Sequence, residues 1–495
     1  MIRTISPQDM QDMERAFLDG TGYPSLLLME HAAQAVVRAL SDLVPAGSRV
    51  LFICGGGNNG GDGCAAARLW MQQGGRADVW LLKNPRQMKG DAGVNACLLS
   101  VCGANVNVIY GDVPEIALDC AGIVDALFGT GFSREMEGAA LAAARAVNES
   151  TLPVLAVDIP SGVDGATGQA LGEAIRADVT VTFHRAKHGH MLYPGRELTG
   201  RLVIADIGIL SDWDGAEGYD VLEEKDAAAL LPRRPADGHK GTFGHVLTIA
   251  GSEGMAGAAC LCAKAALSSG CGLVTAASCY PVTAVLQMNV PCAMAKTVCE
   301  GAAISAKAAQ KLQGMAKDKQ ALAIGPGLGV SEETWRAIAP LIAGDTPKVL
   351  DADGLNMLAR FGGKVGKHTV LTPHPGEAAR LLGVTTRDIL DAPIDHARQL
   401  SQDTGACVLL KGATTVIAQG EDVALSITGC DAMATGGSGD VLSGVIAALM
   451  AQGMGAFDAA RAGAYYHGKA GEAAAGEKGA RAVTASMICE KIRIE

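Results

Sequence analysis

A glycine-rich segment near the C-terminus, Met433-Ala-Thr-Gly-Gly-Ser-Gly-Asp440, has the residues best suited to phosphate chemistry. Its three glycines let backbone N–H groups converge on one point. The apolar run at 441–450 predicts a helix whose positive end faces the same point, so an anion such as a phosphate should bind there. Asp440 falls in the first turn of that helix. Its carboxylate could therefore take a proton from a hydroxyl group that attacks the phosphate.

Other polar groups in the second half of the chain each follow a short apolar strand. Any one of them could be an ordinary loop, and Lys411 alone could be a surface lysine. In parallel sheets, however, ligands bind beyond the carboxyl ends of the strands, so their recurrence favours a single site. The segments are Gly325-Pro-Gly-Leu-Gly329, Asp351-Ala-Asp353 with Asn356, Thr372-Pro-His-Pro-Gly-Glu377 and Lys411-Gly-Ala-Thr-Thr415.

The first half of the chain has three unusual turns after strands, at 55–63 (GGGNNGGDG), 125–131 (DALFGTG) and 158–162 (DIPSG). The first lacks the glycine spacing of the dinucleotide fingerprint. Alone it would be a tight strand-to-helix turn with Asp62 as the helix N-cap. Because all three follow strands of one predicted sheet, we expect them to converge. Asn59, Asp125 and Ser161 offer oxygen ligands that suit a hard cation, and Asp158 could move a proton.

Three histidines, His184, His188 and His190, could be interpreted as a metal cluster. Gly189 and the preceding β pattern argue against a helical histidine face, and no acidic ligand is near them in sequence. We interpret these histidines as structural residues.

Composition limits the class of protein. A chain of 495 residues should hold two or three domains, and 49% apolar but only 4% aromatic residues are typical of closely packed α/β proteins. The net charge of −11 argues against a nucleic-acid partner. The 14 cysteines include no C-x-x-C pair, and no secretory signal is evident, so we expect reduced thiols and a cytoplasmic protein. Glycines and prolines interrupt the uncharged stretch 265–295, which therefore does not predict a membrane span.

Short apolar strands alternate with helices in both halves of the chain, which predicts an α/β fold with parallel sheets covered on both faces. Predicted strands include 49–54, 122–127 and 153–157 in the first half, and 245–250, 321–324 and 348–350 in the second. The segment 210–238 is polar and acidic, and then contains prolines and arginines. We place the domain junction within it, at 214–222, which gives domains at 1–215 and 222–495.

The first domain resembles the epimerases of NAD(P)HX, the hydrated form of NADH or NADPH. GGGNNGGDG, VDALFGTG, VDIPSGVDG and FHRAKHG carry this resemblance over about residues 1–215. It implies a Rossmann-like three-layer αβα domain and K⁺ ligands at Asn59, Asp125 and Ser161. Asp158 would contact the substrate, and we expect it to be catalytic. The full set of substrate-binding residues that it implies is Asn58, Asn59, Gly60, Gly61, Asp62, Gly129, Thr130, Gly131, Phe132, Ser133, Arg134, Glu135 and Asp158.

The second domain resembles the ribokinase-like superfamily and, within it, the ADP-dependent NAD(P)HX dehydratases. HKGTFG, GPGLG, LDADGLN, LTPHPGEA, LKGATT and MATGGSGD carry this resemblance over about residues 222–495. It implies a ribokinase-like three-layer α/β domain that uses Mg²⁺ with ADP. Cys430-Asp431 departs from the family pattern just before the last motif. The adenine nucleotide would contact Lys411, Gly412, Ala413, Thr414, Thr415 and Gly439, and the hydrated cofactor would contact Ala258, Gly327, His374 and the catalytic Asp440.

Together the two resemblances predict a metabolite-repair enzyme. The first domain would interconvert the R and S epimers of NAD(P)HX, and the second would dehydrate the S epimer while consuming a nucleotide phosphate. The partners expected are NADHX, NADPHX, ADP and further copies of the chain, with neither nucleic acid nor membrane. The alternative is a vitamin-precursor kinase of the hydroxymethylpyrimidine or thiazole type, with a non-catalytic nucleotide-binding module at its N-terminus.

Overall fold

The computed structural model describes residues 1–215 and 217–495, which form two compact units, Ile2–Tyr219 and Asp220–Glu495 with Met1. Ala216, inside the predicted junction, lies outside the described residues. Both units have mainly parallel strands with helices on both sides, so the predicted α/β class is confirmed.

The N-terminal unit is built on one parallel sheet of seven strands in the order β4-β3-β2-β5-β6-β7-β8. These seven strands are β2 (Arg49–Cys54), β3 (Arg76–Leu81), β4 (Asn105–Val108), β5 (Cys120–Ala126), β6 (Val154–Val157), β7 (Val179–Phe183) and β8 (Arg201–Ala205), and the short β1 (Ile2–Arg3) is not part of this sheet. Its helices are α1 (Pro7–Thr21), α2 (Ser25–Leu43), α3 (Asn58–Gln72), α4 (Gly90–Val101), α5 (Gly138–Glu149) and α6 (Gly195–Thr199), with 3₁₀ helices at Pro85–Gln87, His188–His190 and Ser211–Trp213.

Strand β2 shows why the sheet is covered on both faces. Phe52 belongs to a core formed with α2, α3 and α4, whereas its neighbours Leu51 and Ile53 belong to a second core formed with α5. Successive side chains of a strand point to opposite faces, so a strand that is apolar at every position needs a cover on each side.

The C-terminal unit contributes ten strands to a sheet in the order β9-β18-β17-β16-β15-β14-β13-β10-β11-β12. They are β9 (Asp220–Val221), β10 (His245–Ile249), β11 (Leu273–Cys279), β12 (Met294–Cys299), β13 (Ala321–Ile324), β14 (Lys348–Leu350), β15 (Thr369–Leu371), β16 (Cys407–Leu410), β17 (Thr415–Gln419) and β18 (Asp422–Ser426). The predicted hairpin is confirmed, since β17 pairs antiparallel with β18.

Twelve helices accompany this sheet among the described residues: α7 (Glu224–Leu230), α8 (Ala256–Ser268), α9 (Tyr280–Asn289), α10 (Ala309–Ala316), α11 (Glu332–Ala343), α12 (Asp353–Phe361), α13 (Pro375–Leu382), α14 (Thr386–Asp391), α15 (Pro393–Thr404), α16 (Ser438–Ala451), α17 (Ala456–Lys478) and α18 (Ala485–Glu490). Short 3₁₀ helices occur at Ala306–Ala308, Asp431–Met433 and Ala480–Ala482. No helix among the described residues is long and apolar enough to cross a membrane.

Helix α16 lies in the centre of the C-terminal core. It packs closely against α8 because Gly444 has no side chain: a Cβ there would lie 2.2 Å from the Cys262 carbonyl oxygen. Gly437 caps the helix with a positive φ of 93°, a conformation that glycine adopts without strain. These two glycines fix the position of the helix start, and with it Gly439 and Asp440.

Candidate active sites

The first candidate site begins at the N-terminus of α3. Asn58 is the first residue of this helix and Gly57 is its N-cap, so the segment 58–63 forms the first helical turns instead of a loop. The alternative interpretation of this segment, a tight turn with Asp62 as the N-cap, is therefore wrong. A Cβ at Gly60 would lie 1.9 Å from the Gly55 carbonyl oxygen, so the helix can start this close to the strand end only with glycine there.

This close approach predicts a stability difference between two glycine substitutions. Gly60→Ala should lower the free energy of unfolding of the N-terminal unit by about 1–3 kcal/mol, because backbone must move to admit the methyl group. Gly57→Ala is the matched control, since a Cβ there meets no atom within 4 Å. Calorimetric melting of both variants in the full chain would measure the difference. Equal midpoints for the two variants would contradict the packing argument.

The three N-terminal turns converge on one cavity of about 900 Å³. Asp158 lines it, and so do residues of the first turn and of the turn after β5, as expected from the sequence. Among the predicted substrate-binding residues, Gly60, Gly61 and Glu135 do not line this cavity, whereas the following do: Asn58, Asn59, Asp62, Gly129, Thr130, Gly131, Phe132, Ser133, Arg134 and Asp158.

Asp158 is held in a strained backbone conformation, with φ of 66°. The Lys187 ammonium lies 2.8 Å from its Oδ1, the Thr182 hydroxyl donates to the same oxygen at 3.1 Å, and the Thr130 N–H donates to Oδ2 at 3.3 Å. Burial raises the pKa of Asp158, but the charge and hydrogen bond of Lys187 outweigh it, so this pKa is lower than usual. Asp158 is therefore an ionised carboxylate at neutral pH and can accept a proton.

His190 supports this arrangement from behind. Its Nδ1 accepts the Lys187 backbone N–H at 3.0 Å, so Nε2 carries the proton and donates to the Asp158 carbonyl oxygen at 2.9 Å. Burial lowers the pKa of His190 to about 4, which keeps it neutral. His188 instead contacts the Thr4 hydroxyl at 2.9 Å. The two histidines thus have separate structural partners, and no cluster of three metal-binding side chains occurs in 1–215 or 217–495.

Asp125 and Ser161 form a second polar group at the ends of β5 and β6. Asp125 is fully buried and accepts the Ser161 backbone N–H at 2.8 Å and the Ser161 hydroxyl at 2.7 Å. Burial raises the pKa of Asp125 to about 6 despite these bonds, and no described cationic side chain pairs with it. In Asn59, both amide atoms are buried without a hydrogen-bond partner in the described structure.

Sequence reasoning missed Glu14, on α1. This side chain lines the same cavity as Asp62, Asp158 and Lys187. Burial raises the pKa of Glu14, and the nearby Asp158 charge adds to that effect while Lys187 opposes it. Burial likewise raises the pKa of Asp62, with Asp158 and Glu14 adding to it. Burial thus raises the pKa of two carboxyl groups in this cavity, whereas Lys187 lowers that of a third.

The second candidate site lies at the ends of β14 and β16 and the start of α16. The buried Asp351 contacts the Lys411 ammonium at 2.8 Å through one oxygen and accepts the Ser443 hydroxyl at 2.7 Å through the other. A Cβ at Gly439 would lie 3.3 Å from the Lys411 Nζ and 3.5 Å from Asp351 Oδ2. The first turn of α16 therefore faces a lysine, and backbone N–H groups and a positive charge point to one place.

Asp440 lies in this first turn. Burial raises its pKa to about 7, with the nearby Asp351 and Asp353 charges adding to the effect and Lys411 opposing it. Asp353 is fixed by the Gly329 N–H, which donates to its Oδ2 at 2.8 Å. A carboxyl group with a pKa near 7 changes protonation readily at neutral pH, as a general base must.

Of the other predicted residues, Ala258 lies in the first turn of α8, Gly327 follows β13 and His374 follows β15. Gly327 has φ of 60°, and a Cβ there would lie 3.0 Å from the Ala258 Cβ, so the two are neighbours. His374 caps α13: its Nδ1 accepts the Gly376 N–H at 3.0 Å, and Glu377 accepts the His374 N–H at 2.9 Å. Glu377 also lies 3.9 Å from the Lys411 ammonium. The predicted segment Gly412, Ala413 and Thr414 forms the loop between β16 and β17, and β17 begins at Thr415.

Both halves of the chain match family models. Residues 25–189 match the YjeF-related protein N-terminus, and residues 246–493 match NAD(P)H-hydrate dehydratase. A bifunctional NAD(P)H-hydrate repair enzyme of Moorella thermoacetica is 40% identical, over 98% of this chain and 95% of that protein. The chain belongs to this family of bifunctional repair enzymes. The Escherichia coli member is 34% identical, over 97% of this chain and 91% of that protein.

A solved structure is similar to about half of the chain. It is an ADP/ATP-dependent NAD(P)H-hydrate dehydratase from Bacillus subtilis, co-crystallised with ATP/Mg²⁺. It is 31% identical, with a TM-score of 0.50, and the match covers 55% of this chain and 96% of that one.

Proposed function

We propose that this repair enzyme performs two reactions, with the first assigned to residues 1–215 and the second to 222–495. The first domain interconverts the R and S epimers of NADHX and NADPHX. The second dehydrates the S epimer to NADH or NADPH and converts ADP to AMP and phosphate. The observation that carries the proposal is Asp440, a carboxyl group with a pKa of about 7 at a helix N-terminus that faces Lys411.

In the second domain, phosphoryl transfer makes the hydroxyl group of the substrate a better leaving group. The hydroxyl oxygen attacks the β-phosphorus of ADP, Asp440 takes its proton, and the bond to AMP breaks. The phosphate then leaves carbon as the ring nitrogen pushes in its electron pair, and loss of a proton from the adjacent carbon restores the double bond of NAD(P)H. Lys411 and the N–H groups of α16 stabilise the negative charge.

The nucleotide would bind at Lys411–Thr415 and Gly439, and the hydrated cofactor near Ala258, Gly327 and His374. Mg²⁺ would be held mainly through the nucleotide phosphates, which is its usual mode and needs no cluster of protein ligands. The Bacillus subtilis dehydratase, crystallised with ATP/Mg²⁺, supports this part of the proposal.

The overall reaction can be tested with the full chain and a mixture of R- and S-NADHX. With Mg²⁺, K⁺ and ADP, we expect absorbance of NADH to return until both epimers are consumed, together with stoichiometric AMP. With pure S epimer only the second reaction is needed. A stable phosphorylated product without NADH would instead favour the vitamin-precursor kinase, and replacing ADP with ATP measures the nucleotide preference.

The first domain also has the donors for a bound K⁺. Asn59 supplies a buried amide oxygen without a partner, and Asp125 supplies a buried carboxylate without a cationic partner among the described residues. With Ser161, these would hold the ion next to the substrate cavity, where K⁺ supplies positive charge that helps position the nucleotide. The donor set, with one carboxylate and neutral oxygens, fits a weakly bound hard cation.

This site predicts a pH-dependent effect of K⁺ on stability. The pKa of Asp125 is raised in the folded protein to about 6, so its ionisation destabilises the fold as pH rises through that value. K⁺ should therefore raise the melting temperature of the N-terminal unit above pH 6 and much less below pH 5. Tetramethylammonium is the matched ion control, and Asp125→Asn should remove the difference. An equal K⁺ effect at both pH values would contradict the assignment.

A further inference from the structure

The epimerase cavity contains a carboxyl group for which neither the sequence nor the reaction scheme above provides a role. Glu14 lines the cavity from α1, which precedes the segment matched by the family model at 25–189. Its helix is fixed by the buried side chains of Met10, Met13 and Phe17, which belong to the core with α2 and α3. Glu14 has no hydrogen-bond or ion-pair partner among residues 1–215 and 217–495.

Epimerisation by ring opening needs two proton carriers at once. The proton of the hydroxyl group must go to a base as the carbon–oxygen double bond forms. The bond from that carbon to the ring nitrogen then breaks, and the nitrogen must receive a proton from an acid. Rotation of the free aldehyde exposes its other face, and the reverse steps close the ring: nitrogen attacks carbon, its proton returns to the acid, and the base gives its proton back to oxygen. No oxidant or reductant is needed.

Asp158 is the base of this scheme, since Lys187 keeps it ionised. Lys187 cannot also be the acid without losing that role, because its three N–H donors are all used: by Asp158 at 2.8 Å, by Thr182 at 2.9 Å and by the Phe183 carbonyl at 3.3 Å. His190 is excluded as well, since its only proton is bound to the Asp158 carbonyl.

We propose that Glu14 is the acid that protonates the ring nitrogen during ring opening; this inference rests on the epimerase activity proposed above. Its carboxyl group faces the cavity that Asp158 lines, and it is free to donate. Burial raises the pKa of Glu14 while Lys187 lowers that of Asp158, and such opposite shifts are usual between the acid and the base of a pair. Asp62 is the other candidate acid, and it is tested as an alternative below. The charged groups that line this cavity are Glu14, Arg15, Asp19, Asp62, Asp91, Arg134, Asp158 and Lys187.

The test is the rate at which pure R-NADHX converts to S-NADHX on the full chain without nucleotide. Glu14→Gln should lower kcat at least about a hundredfold with little change in KM, since the amide keeps the shape but cannot supply the proton. The wild-type rate should fall on the alkaline side as Glu14 ionises, and this fall should disappear in Glu14→Gln but remain in Asp62→Asn. Asp12→Asn, an exposed position on the same helix, is the control and should match wild type.

Oxygen-18 water separates ring opening from loss of water. Ring opening retains the hydroxyl oxygen, so S-NADHX formed early should contain less than one labelled oxygen per inversion. Three results would each overturn the inference. They are one labelled oxygen per inversion, a normal kcat in Glu14→Gln, and a pH profile whose alkaline fall is lost in Asp62→Asn but kept in Glu14→Gln. If the wild-type protein does not interconvert the epimers, the proposed epimerase function is wrong. If the wild-type protein is active and Glu14→Gln is equally active, only the role proposed for Glu14 is wrong.

Discussion

Asp440→Asn should lower the ADP-dependent dehydration of pure S-NADHX by about 10²- to 10⁴-fold, the usual contribution of a general base. The amide has nearly the same shape and still lies in the first turn of α16, so the helix start should be preserved. What it loses is the ability to accept the proton of the attacking hydroxyl. Regenerated NADH, followed by its absorbance with saturating ADP and Mg²⁺, measures the loss.

The pH dependence of the same reaction provides an independent check. A base must be ionised to act, and the pKa of Asp440 is about 7, so wild-type kcat should rise as pH increases through about 7 and then level off. Lys411 and Asp351 affect this pKa in opposite directions, Lys411 lowering it and Asp351 raising it. The rise should be absent from the residual activity of Asp440→Asn.

Two controls separate loss of the base from loss of structure. Asp431→Asn removes an exposed carboxylate from the 3₁₀ helix just before the same glycine segment, and it should not reduce the rate. If the departure at Cys430-Asp431 repels the nucleotide phosphates, this variant should also lower the KM for ADP. Epimerisation by the Asp440→Asn protein should remain normal. A variant with near-wild-type dehydration would exclude Asp440 as the base.

The sequence predicted the strands that carry the sites because these strands are buried on both faces and are therefore apolar throughout. Two strands at sheet edges gave no such signal. Asn105–Val108 alternates polar and apolar residues at one edge of its sheet, and Met294–Cys299, at an edge of the other, has Lys296 and Thr297 in its middle. Both were missed, although neither positions a site residue.

The glycine segments were identified from sequence, but the local structure predicted for them was not always correct. Asn58-Asn-Gly-Gly-Asp62 was expected to be a loop because glycine and asparagine are poor helix formers. The helix nevertheless starts at Asn58. Gly60 packs directly against the Gly55 carbonyl oxygen, so tertiary packing outweighs the low helix propensity of these residues. In the second half, Gly437 and Asp440 are found where the pattern predicted them, since a long apolar helix follows immediately.

Side chains that support the sites were harder to find. Ser443 lies one helical turn after Gly439, so helical spacing could have identified it as a neighbour of the anion site. Glu14 offered no such signal, because it reaches the cavity only after α1 packs on the core. The pairing of Asp158 with Lys187 could be found only from the structure, because the two residues are far apart in sequence and β7 lies between them.

The second large effect is expected at Asp158, where substitution should strongly reduce the conversion of R-NADHX to S-NADHX. Asp158→Ala removes the carboxylate of this cavity that Lys187 keeps ionised, and we expect a loss of at least about a hundredfold. Dehydration of pure S-NADHX by the same protein should be unchanged, because Asp440 and its neighbours belong to the other unit.

Stability must be separated from chemistry in this variant. Lys187 is nearly fully buried, and loss of its partner leaves an unpaired buried charge, which typically costs about 3–5 kcal/mol. Asp158→Asn combined with Lys187→Met removes both charges and should recover much of that stability. It should not recover epimerisation, because the base is still absent.

Two possible roles of Asp158 therefore predict different results for the double variant. If the carboxylate serves only to neutralise Lys187, the double variant should regain both stability and activity. If Asp158 accepts the hydroxyl proton, the melting temperature should recover while the epimerisation rate stays at least about a hundredfold below wild type. Near-normal exchange between the epimers in Asp158→Ala would exclude the carboxylate from the reaction, and Lys187, with its ammonium released from Asp158, would then be the group to test as the proton carrier.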